Sequence, residues 1–229
     1  MDDSRAADRF TARHHALLFA WMTREAIEQV GEERGKAVIR KAVRRYGEER
    51  GHRMGLRAEV DGEPRSMANY LAYGEWAADP AESEQAVAQE GTDLQMTVLR
   101  CPWDAAWAEN DLRVYGRLYC LEIDEALVRG FNPVLKLDVN ATRPNDAEPC
   151  QFVFHDVAQR GPRRGQVMSW AYHLGHLFKT VCDVMAEELG AAGQEAADRA
   201  LAAFAERYGE EAAEVVLGYG DVDFGRLAE

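Results

Sequence analysis

Three short segments of the chain alternate apolar and polar residues, and this two-residue period is the feature that most constrains the fold. They span residues 94–101, 135–140 and 150–155. In the first, Leu94, Met96 and Val98 share one face, and Pro102, which cannot donate to a strand ladder, marks the end. The turn-rich residues 143–149 separate the other two, which predicts a hairpin. One apolar and one polar face per strand is typical of an antiparallel sheet that packs on helices.

Five longer stretches carry apolar residues at helical spacing. They lie at about 9–30, 33–59, 66–76, 167–189 and 195–217. Residues 77–92 are acidic and irregular in pattern, which predicts a surface excursion. We therefore predict an α+β fold, with several helices packed on one small antiparallel sheet. A single domain over 1–229 is expected, with a helical N-terminal part at 9–76, a sheet and pocket part at 94–189 and a C-terminal helix at 195–217.

A further stretch, 115–133, predicts a central helix that ends at Gly130 and Pro133, because glycine favours helix ends and proline cannot continue a helix. Cys120 and Asp124 lie four residues apart in this stretch, so on one helix their side chains would be neighbours. A thiol and a carboxylate beside an apolar stripe suit a pocket wall, and both are candidate catalytic residues. The competing interpretation is that Cys120 is a small core residue.

The second candidate group lies in the helix predicted at 167–189. His173 and His176 share a helical face with Thr180 and Asp183, beside the apolar face, which predicts a position at the boundary between core and polar surface. An imidazole at such a boundary titrates near neutrality and suits a general base acting on a thiol or on water. Metal binding and plain hydrogen bonding within the helix packing are the alternatives. The spacing is not the His-Glu-x-x-His zinc signature, so we predict no metal and no cofactor.

Four further residues are candidates for substrate binding. They are Cys101, Asn132, Asp138 and His155. Cys101 ends a predicted strand, where side chains often face a pocket, and Asn132 follows the predicted central helix. Asp138 and His155 belong to the polar face of the sheet, where they could bind a substrate carboxylate or amino group.

Other reactive residue types are expected to have no chemical role. Cys150 lies on the apolar face of its strand, and Cys182 lies away from the histidines on its helix. We therefore expect both thiols to be structural. We expect His14 and His15 to be a surface pair, or one of them to be a core histidine with satisfied hydrogen bonds. The basic residues at 40–45 predict a solvated face, with attraction of a small carboxylate as the alternative.

Charge and composition exclude several classes of protein. A net charge of −13 argues against nonspecific nucleic-acid binding and against an anionic membrane surface. Residues 1–10 are polar and mixed in charge, unlike a signal peptide. Four scattered cysteines do not form a disulfide framework or a zinc motif, which predicts reduced thiols and a cytoplasmic protein. A small-molecule substrate is the expected partner, and homo-oligomerisation is left open.

Five short motifs follow one another along the chain. They are Arg-Cys-Pro-Trp at 100–103, Tyr-Cys at 119–120, Ile-Asp at 123–124, Gly-Phe-Asn-Pro at 130–133 and Cys-x-Phe-x-Phe at 150–154. In order and spacing they resemble the L-2-amino-thiazoline-4-carboxylic acid hydrolase family, over about residues 12–189. The resemblance implies hydrolysis of a small cyclic amidine.

We therefore expect a hydrolase that opens a C–N bond in a small heterocycle, which is a cyclic amidine, a thiazoline-like ring or a lactam-like ring. The amidine carbon is electrophilic, and either a cysteine thiolate or an activated water can attack it. The alternative from another class is a non-enzymatic sensor domain that binds a small ligand or haem, because cysteine and histidine at the rim of an aromatic-lined pocket suit that role too.

Overall fold

The computed structural model describes residues 10–77, 79–145, 149–157 and 161–227. The N-terminal residues 1–9, which include the start of the first predicted helix, and the middle of the turn predicted at 143–149 lie outside the described residues. In chain order the elements are α1 (Ala12–Val30), α2 (Glu32–Val60), α3 (Met67–Ala72), β1 (Glu84–Glu90), β2 (Asp93–Arg100), α4 (Pro102–Glu109), α5 (Arg113–Cys120), α6 (Ile123–Phe131), β3 (Leu137–Ala141), β4 (Cys150–Phe154), α7 (Trp170–Leu189), α8 (Ala191–Tyr208) and α9 (Glu210–Leu217).

The predicted α+β class is confirmed. Helices form most of the described chain, and the strands make one antiparallel sheet in the order β1-β2-β4-β3. No helix among the described residues is long and apolar enough to cross a membrane.

The chain divides into two compact units. The first comprises Met1–Tyr46, Pro102–Tyr119 and Ser169–Val222, and the second comprises Gly47–Cys101, Cys120–Met168 and Asp223–Glu229. The described part of the first unit is helical, whereas the second holds the whole sheet with α3, α6 and the later half of α2. The organisation as a single domain stays a prediction.

The alternation read from the three predicted strands sets the register of the sheet. Leu94 of β2 and Leu137 of β3 both pair with Phe154 of β4, and Met96 and Val139 both pair with Phe152 in the next row. Directly paired residues point to the same side of an antiparallel sheet, so these rows form one apolar face. Met67 of α3 and Val128 of α6 belong to the same buried cluster and cover that face.

The irregular structure expected within 77–92 is wrong, because residues Glu84–Glu90 form strand β1, whereas the expected surface position of these residues is confirmed. This strand pairs antiparallel with β2 through the turn at Gly91, and all seven of its residues are exposed. Strands are recognised in a sequence by an apolar face, and an edge strand that buries neither face has none.

The single central helix predicted at 115–133 is wrong as well. The chain forms α5 and α6 with a break at residues 121–122, so Cys120 ends one helix and Asp124 begins the next. Tyr119 and Ala126 are both buried, so the apolar period continues across the break and hides it. Gly130 lies inside α6 and does not end it.

Four other helix predictions had different outcomes. The helices predicted at 33–59, 66–76 and 167–189 are confirmed, with their ends displaced by a few residues. The C-terminal helix predicted at 195–217 is instead two helices, because Gly209 adopts a φ of 93° between α8 and α9. Residues other than glycine rarely adopt that conformation, so the chain turns there.

Close contact between α2 and α6 places the start of α6 firmly in the second unit. A side-chain carbon on Gly51 would lie 2.0 Å from the Leu127 carbonyl oxygen, and one on Gly130 would lie 2.1 Å from the Glu48 carbonyl oxygen. Only glycine leaves room for two helix backbones this close. The crossing therefore fixes the position of Asp124 on α6 relative to Arg50 and Arg53 on α2.

Candidate functional site

A buried ion-pair centre lies in the second unit. Arg50, Arg53 and Arg57 follow one another at helical spacing, which brings their guanidinium groups to one side of α2. Arg53 Nε and Nη2 each donate to the Glu75 carboxylate at 2.9 Å, and Arg57 Nη1 donates to it at 2.6 Å. Arg50 Nε lies 3.5 Å from the same carboxylate. Because Glu75 is fully buried, water does not stabilise its negative charge, and these arginines do so instead.

Aromatic and backbone contacts hold two of these guanidinium groups in place. Arg50 lies over the ring of Trp76, 5.0 Å from its centroid, and Arg53 lies over Phe224 at 5.7 Å. Arg53 also donates to the Phe224 carbonyl oxygen. A planar guanidinium held on an aromatic face keeps its orientation, so the centre is preorganised.

Asp124 stands beside this centre, in the first turn of α6. Burial raises the pKa of its carboxyl group to about 7, and Glu125 adds to the rise while Arg50 opposes it. Burial also raises the pKa of Tyr70, and the charge of Asp124 raises it further while Arg50 again opposes the rise. Asp124 and Tyr70 are nevertheless only partly buried, so solvent reaches both residues. We refer to Arg50, Tyr70 and Asp124 as the Asp124 cluster.

The Asp124 cluster combines two chemical abilities. A carboxyl group with a pKa of about 7 is present in both protonation states at neutral pH, so it can give or take a proton. A guanidinium group binds carboxylates with two parallel hydrogen bonds. The cluster is thus equipped to bind an anionic molecule and to move a proton on it.

Cys120, the candidate nucleophile, is partly exposed at the end of α5. The helix break means that the expected packing of Cys120 against Asp124 along one helix is wrong, although both residues belong to the second unit. Cys182 has a pKa raised to about 12 by burial and by nearby acids, so its thiol is unreactive. No two of the four cysteines, all of which are described, form a disulfide.

Asn132 and Cys101 take different positions. The Asn132 side chain donates to the Arg65 carbonyl oxygen at 2.8 Å and accepts from the Val134 backbone N–H at 3.3 Å. Its amide therefore shapes the turn after α6. Cys101 is partly exposed between β2 and α4, one residue after the end of the strand, and its role in substrate binding stays a prediction.

His155 and Asp138 are brought together on the sheet. His155 Nε2 lies 2.8 Å from Asp138, and His155 Nδ1 lies 2.9 Å from Asp93. Carboxylates only accept hydrogen bonds, so both ring nitrogens carry protons and the imidazole is cationic. These hydrogen bonds raise the pKa of His155, and those it gives contribute to lowered pKa values of Asp93 and Asp138. The three side chains thereby connect β2, β3 and the end of β4.

His173 and His176 are fully buried, so their predicted place at the boundary of core and surface is wrong. Helix α7 packs against α1, α8 and α9, and these contacts bury even the polar side of its first turns. Thr180 is buried as well, whereas Asp183 is exposed and pairs with Lys179. Among the residues that the structure describes, no group of three His, Cys, Asp or Glu side chains is placed to hold a metal ion.

His15 lies in the same unit as these histidines and was expected at the surface or in the core. It is buried, whereas His14 is partly exposed and completes the N-terminal cap of α1. Trp103 Nε1 donates to His15 Nδ1 at 3.2 Å, and His15 Nε2 lies 3.0 Å from the Tyr46 hydroxyl. An indole N–H can only donate, so His15 Nδ1 accepts, and the imidazole is neutral with its proton on Nε2.

Aromatic rings join these residues into one buried cluster in the first unit. Tyr46 lies 4.5 Å from His176, and Tyr119 lies 5.6 Å from His15, between ring centroids. Trp170 lies 5.5 Å from His173. The cluster places two of the predicted catalytic residues in the first unit, while Cys120 and Asp124 belong to the second. The pairing of Cys120 with either histidine stays a prediction.

Sequence reasoning missed Arg50, Glu75 and Tyr70. The spacing of Arg50, Arg53 and Arg57 on one helix face was a usable signal, yet such charges usually mark a solvated face. Only the buried carboxylate of Glu75 distinguishes this face from a solvated one, and Glu75 is distant in sequence. In contrast, the basic residues at 40–45 include Lys41 and Arg45, which form partly exposed ion pairs with α7.

Comparison with known proteins identifies one family that this chain resembles. No curated protein sequence and no solved structure matches it significantly. Residues 11–154, more than half of the chain, match the L-2-amino-thiazoline-4-carboxylic acid hydrolase family, whose name implies hydrolase activity. The match includes Arg50, Tyr70, Cys120 and Asp124 and ends before His173 and His176. The chain therefore belongs to the L-2-amino-thiazoline-4-carboxylic acid hydrolase family.

Proposed function

We propose that this protein hydrolyses a small cyclic amidine that carries a carboxylate, as in the thiazoline carboxylic acid of the family name. The observation that carries the proposal is the Asp124 cluster, in which a carboxyl group with a pKa of about 7 lies close enough to the fixed Arg50 guanidinium for that charge to act on its pKa. All three residues of the cluster lie in the segment that matches the family.

Arg50 is the proposed anchor for the substrate carboxylate. Trp76 supports its guanidinium on one face, and the nearby Glu75 carboxylate restrains it from another side. A cyclic amidine also carries positive charge when protonated, and ionised Asp124 would hold that charge. The same cluster thus matches both ends of a small zwitterionic ring.

Asp124 is the proposed acid and base of the reaction. Ionised, it takes a proton from the attacking nucleophile, and protonated, it returns a proton to the ring atom that leaves. With water as nucleophile, one C–O bond forms at the amidine carbon and one ring bond to that carbon breaks. In a plain cyclic amidine this is the C–N bond, while a thiazoline carbon also offers a C–S bond.

Cys120 is the proposed nucleophile in a covalent variant of the same reaction. Its thiolate would attack the amidine carbon, the ring C–N bond would break as its nitrogen leaves with a proton, and water would then displace the cysteine thiol from the thioimidate adduct. His173 and His176 are kept as proposed general bases, but their position beyond the family match makes Asp124 the stronger candidate.

The test is turnover of 2-amino-thiazoline-4-carboxylic acid, followed by mass spectrometry for the addition of one water. Asp124→Asn should lower kcat/KM by about a thousandfold, within the range for loss of a general acid or base. The matched control is Glu125→Gln, which removes the adjacent, exposed carboxylate and should retain activity within about tenfold. A new thiol in the product reports C–S cleavage, and a new amine reports C–N cleavage.

The variants Cys120→Ser and Cys120→Ala separate the two nucleophiles. If both variants lose about a thousandfold in turnover, and the wild type forms a substrate adduct on Cys120, covalent attack is supported. Near wild-type turnover in Cys120→Ala supports water. Full activity of Asp124→Asn would contradict the assignment of this site, and binding without any turnover would favour the sensor interpretation.

A further inference from the structure

Strand β1 presents an open edge of the sheet. The strand order β1-β2-β4-β3 gives β1 a neighbour on one side, and no other described strand covers its outer side. Along an antiparallel strand, alternate residues point their N–H and C=O groups away from the neighbour. The outer side of β1 therefore offers a row of backbone donors and acceptors to a further strand.

This edge lacks the features that usually prevent strand addition. Residues 85–89 contain no charge and no proline, and lysine is absent from β1. The opposite edge differs, because β3 carries Asp138 and has an irregular register in its interior, near Val139, whereas the register irregularity of β1 lies at its first residue, between Glu84 and Gln85. At the ends of β1, Glu84 is paired with Arg100 at 2.9 Å, and Glu90 accepts a hydrogen bond from Gln95.

The sequence of β1 identifies the strand that fits this edge. It reads Glu-Gln-Ala-Val-Ala-Gln-Glu, which is the same in both directions about Val87. In a two-fold antiparallel pair, each residue faces a residue equally far from the axis, so self-pairing requires that the strand complement itself. Centred on Val87, the pair would place alanine opposite alanine and glutamine opposite glutamine.

We propose that β1 pairs with β1 of a second copy of this chain, antiparallel and centred on Val87, so that the two sheets become continuous. Val87 is 43% exposed, and it pairs with Met96, so it lies on the side of the sheet that carries the apolar rows. Dimerisation would bring two Val87 side chains together and extend that apolar face across the axis.

Electrostatic effects limit the strength of this dimer in a predictable way. Each copy carries a net charge of −13, which opposes association at long range. Pairing also places Glu84 opposite Glu90 of the second copy, although Arg100 offsets part of this repulsion. Salt screens such interactions beyond about 10 Å at 0.1 M, so the dimer should tighten as salt is added.

The test is sedimentation velocity of the full-length protein over a roughly hundredfold range of concentration, where mass action must shift a reversible dimer. Val87→Lys places two like charges opposite each other at the axis and should weaken the dimer about tenfold. The matched control is Leu99→Lys on β2, which changes the net charge equally at a residue that is 40% exposed. This control should dimerise like the wild type.

A cross-linking variant tests the register separately from stability. Only a residue on the two-fold axis meets itself, so Val87→Cys should form a disulfide-linked dimer on mild oxidation, whereas Leu99→Cys should not. A wild-type protein that stays monomeric would overturn the proposal and leave the edge to an extended peptide of another protein. Equal dimerisation of Val87→Lys and wild type would also overturn it, because the interface would then lie elsewhere.

Discussion

Arg53 and Glu75 form a two-bond ion pair in the interior of the second unit, with Nε and Nη2 each 2.9 Å from a different carboxylate oxygen. Both side chains are fully buried. Water cannot stabilise either charge if the other is removed, so the pair holds the segment that follows α3 to α2. The same carboxylate lies beside Arg50, which links the stability of this centre to the proposed site.

Loss of the buried acid should therefore destabilise the protein strongly. Glu75→Gln should lower the free energy of unfolding by about 3–5 kcal/mol, because buried guanidinium groups lose their counter-charge. The control is Glu48→Gln, which removes a partly exposed pair with Arg129 and should cost less than about 1 kcal/mol. Urea denaturation measures both, and similar losses in the two variants would contradict the role of burial.

Asp124→Asn should separate stability from activity. A raised pKa in the folded state means that ionisation of Asp124 opposes folding, with a penalty that grows as pH rises from about 4 to about 7 and then levels off. The asparagine variant has no such penalty. It should exceed the wild type by about 1–2 kcal/mol at pH 8 and by less at pH 5, while its turnover is lost. A stability difference that does not change with pH would show that Asp124 titrates normally.

Two glycines of α2 with different neighbours predict unequal effects for the same substitution to alanine. Gly51→Ala should cost about 1–3 kcal/mol of unfolding free energy, because the new methyl group meets the Leu127 carbonyl oxygen and a backbone cannot yield easily. Gly55→Ala on the same helix meets only the end of the Arg65 side chain, which can move. There the better helix propensity of alanine, about 1 kcal/mol, should offset the contact. Thermal denaturation of both variants measures these effects. A Gly51→Ala variant as stable as the wild type would contradict the close approach of α2 and α6.

We refer to the hydrogen bonds of His155 with Asp93 and Asp138 as the His155 bridge. This bridge should make the free energy of unfolding fall as the pH becomes alkaline. Because the pKa of His155 is raised, its contribution is complete below the ordinary value of about 6.5 and is lost as pH rises through the raised value. The lowered pKa values of Asp93 and Asp138 make their contributions disappear only in acid, below about 3.8.

His155→Gln should consequently differ from the wild type most between these two limits, and the difference should shrink at alkaline pH. Urea denaturation at several pH values measures it, with exposed His52→Gln as the control for loss of a histidine. The bridge would be unimportant if the wild type and His155→Gln had equal stability at pH 6.

The outcome for individual elements shows what local sequence can reveal. Strand β4 could be predicted because Phe152 and Phe154 face one apolar core, and α7 because its apolar residues recur at helical spacing. Strand β1 could not be predicted, because it buries nothing and so has no apolar period. The break between α5 and α6 was hidden for the opposite reason, since buried residues on both sides continue one period.

The candidate site divides in the same way. The amino-acid pattern was enough to predict the α+β class and the family resemblance, and to select Cys120, Asp124 and the α7 histidines as candidates for chemistry. The burial of His173 and His176, and the effect of the Arg50 charge on the pKa of Asp124, follow only from the packing of segments that are distant in sequence. Sequence periods report which side of an element avoids water, whereas burial depth and a pKa of about 7 depend on charges and atoms supplied by distant segments.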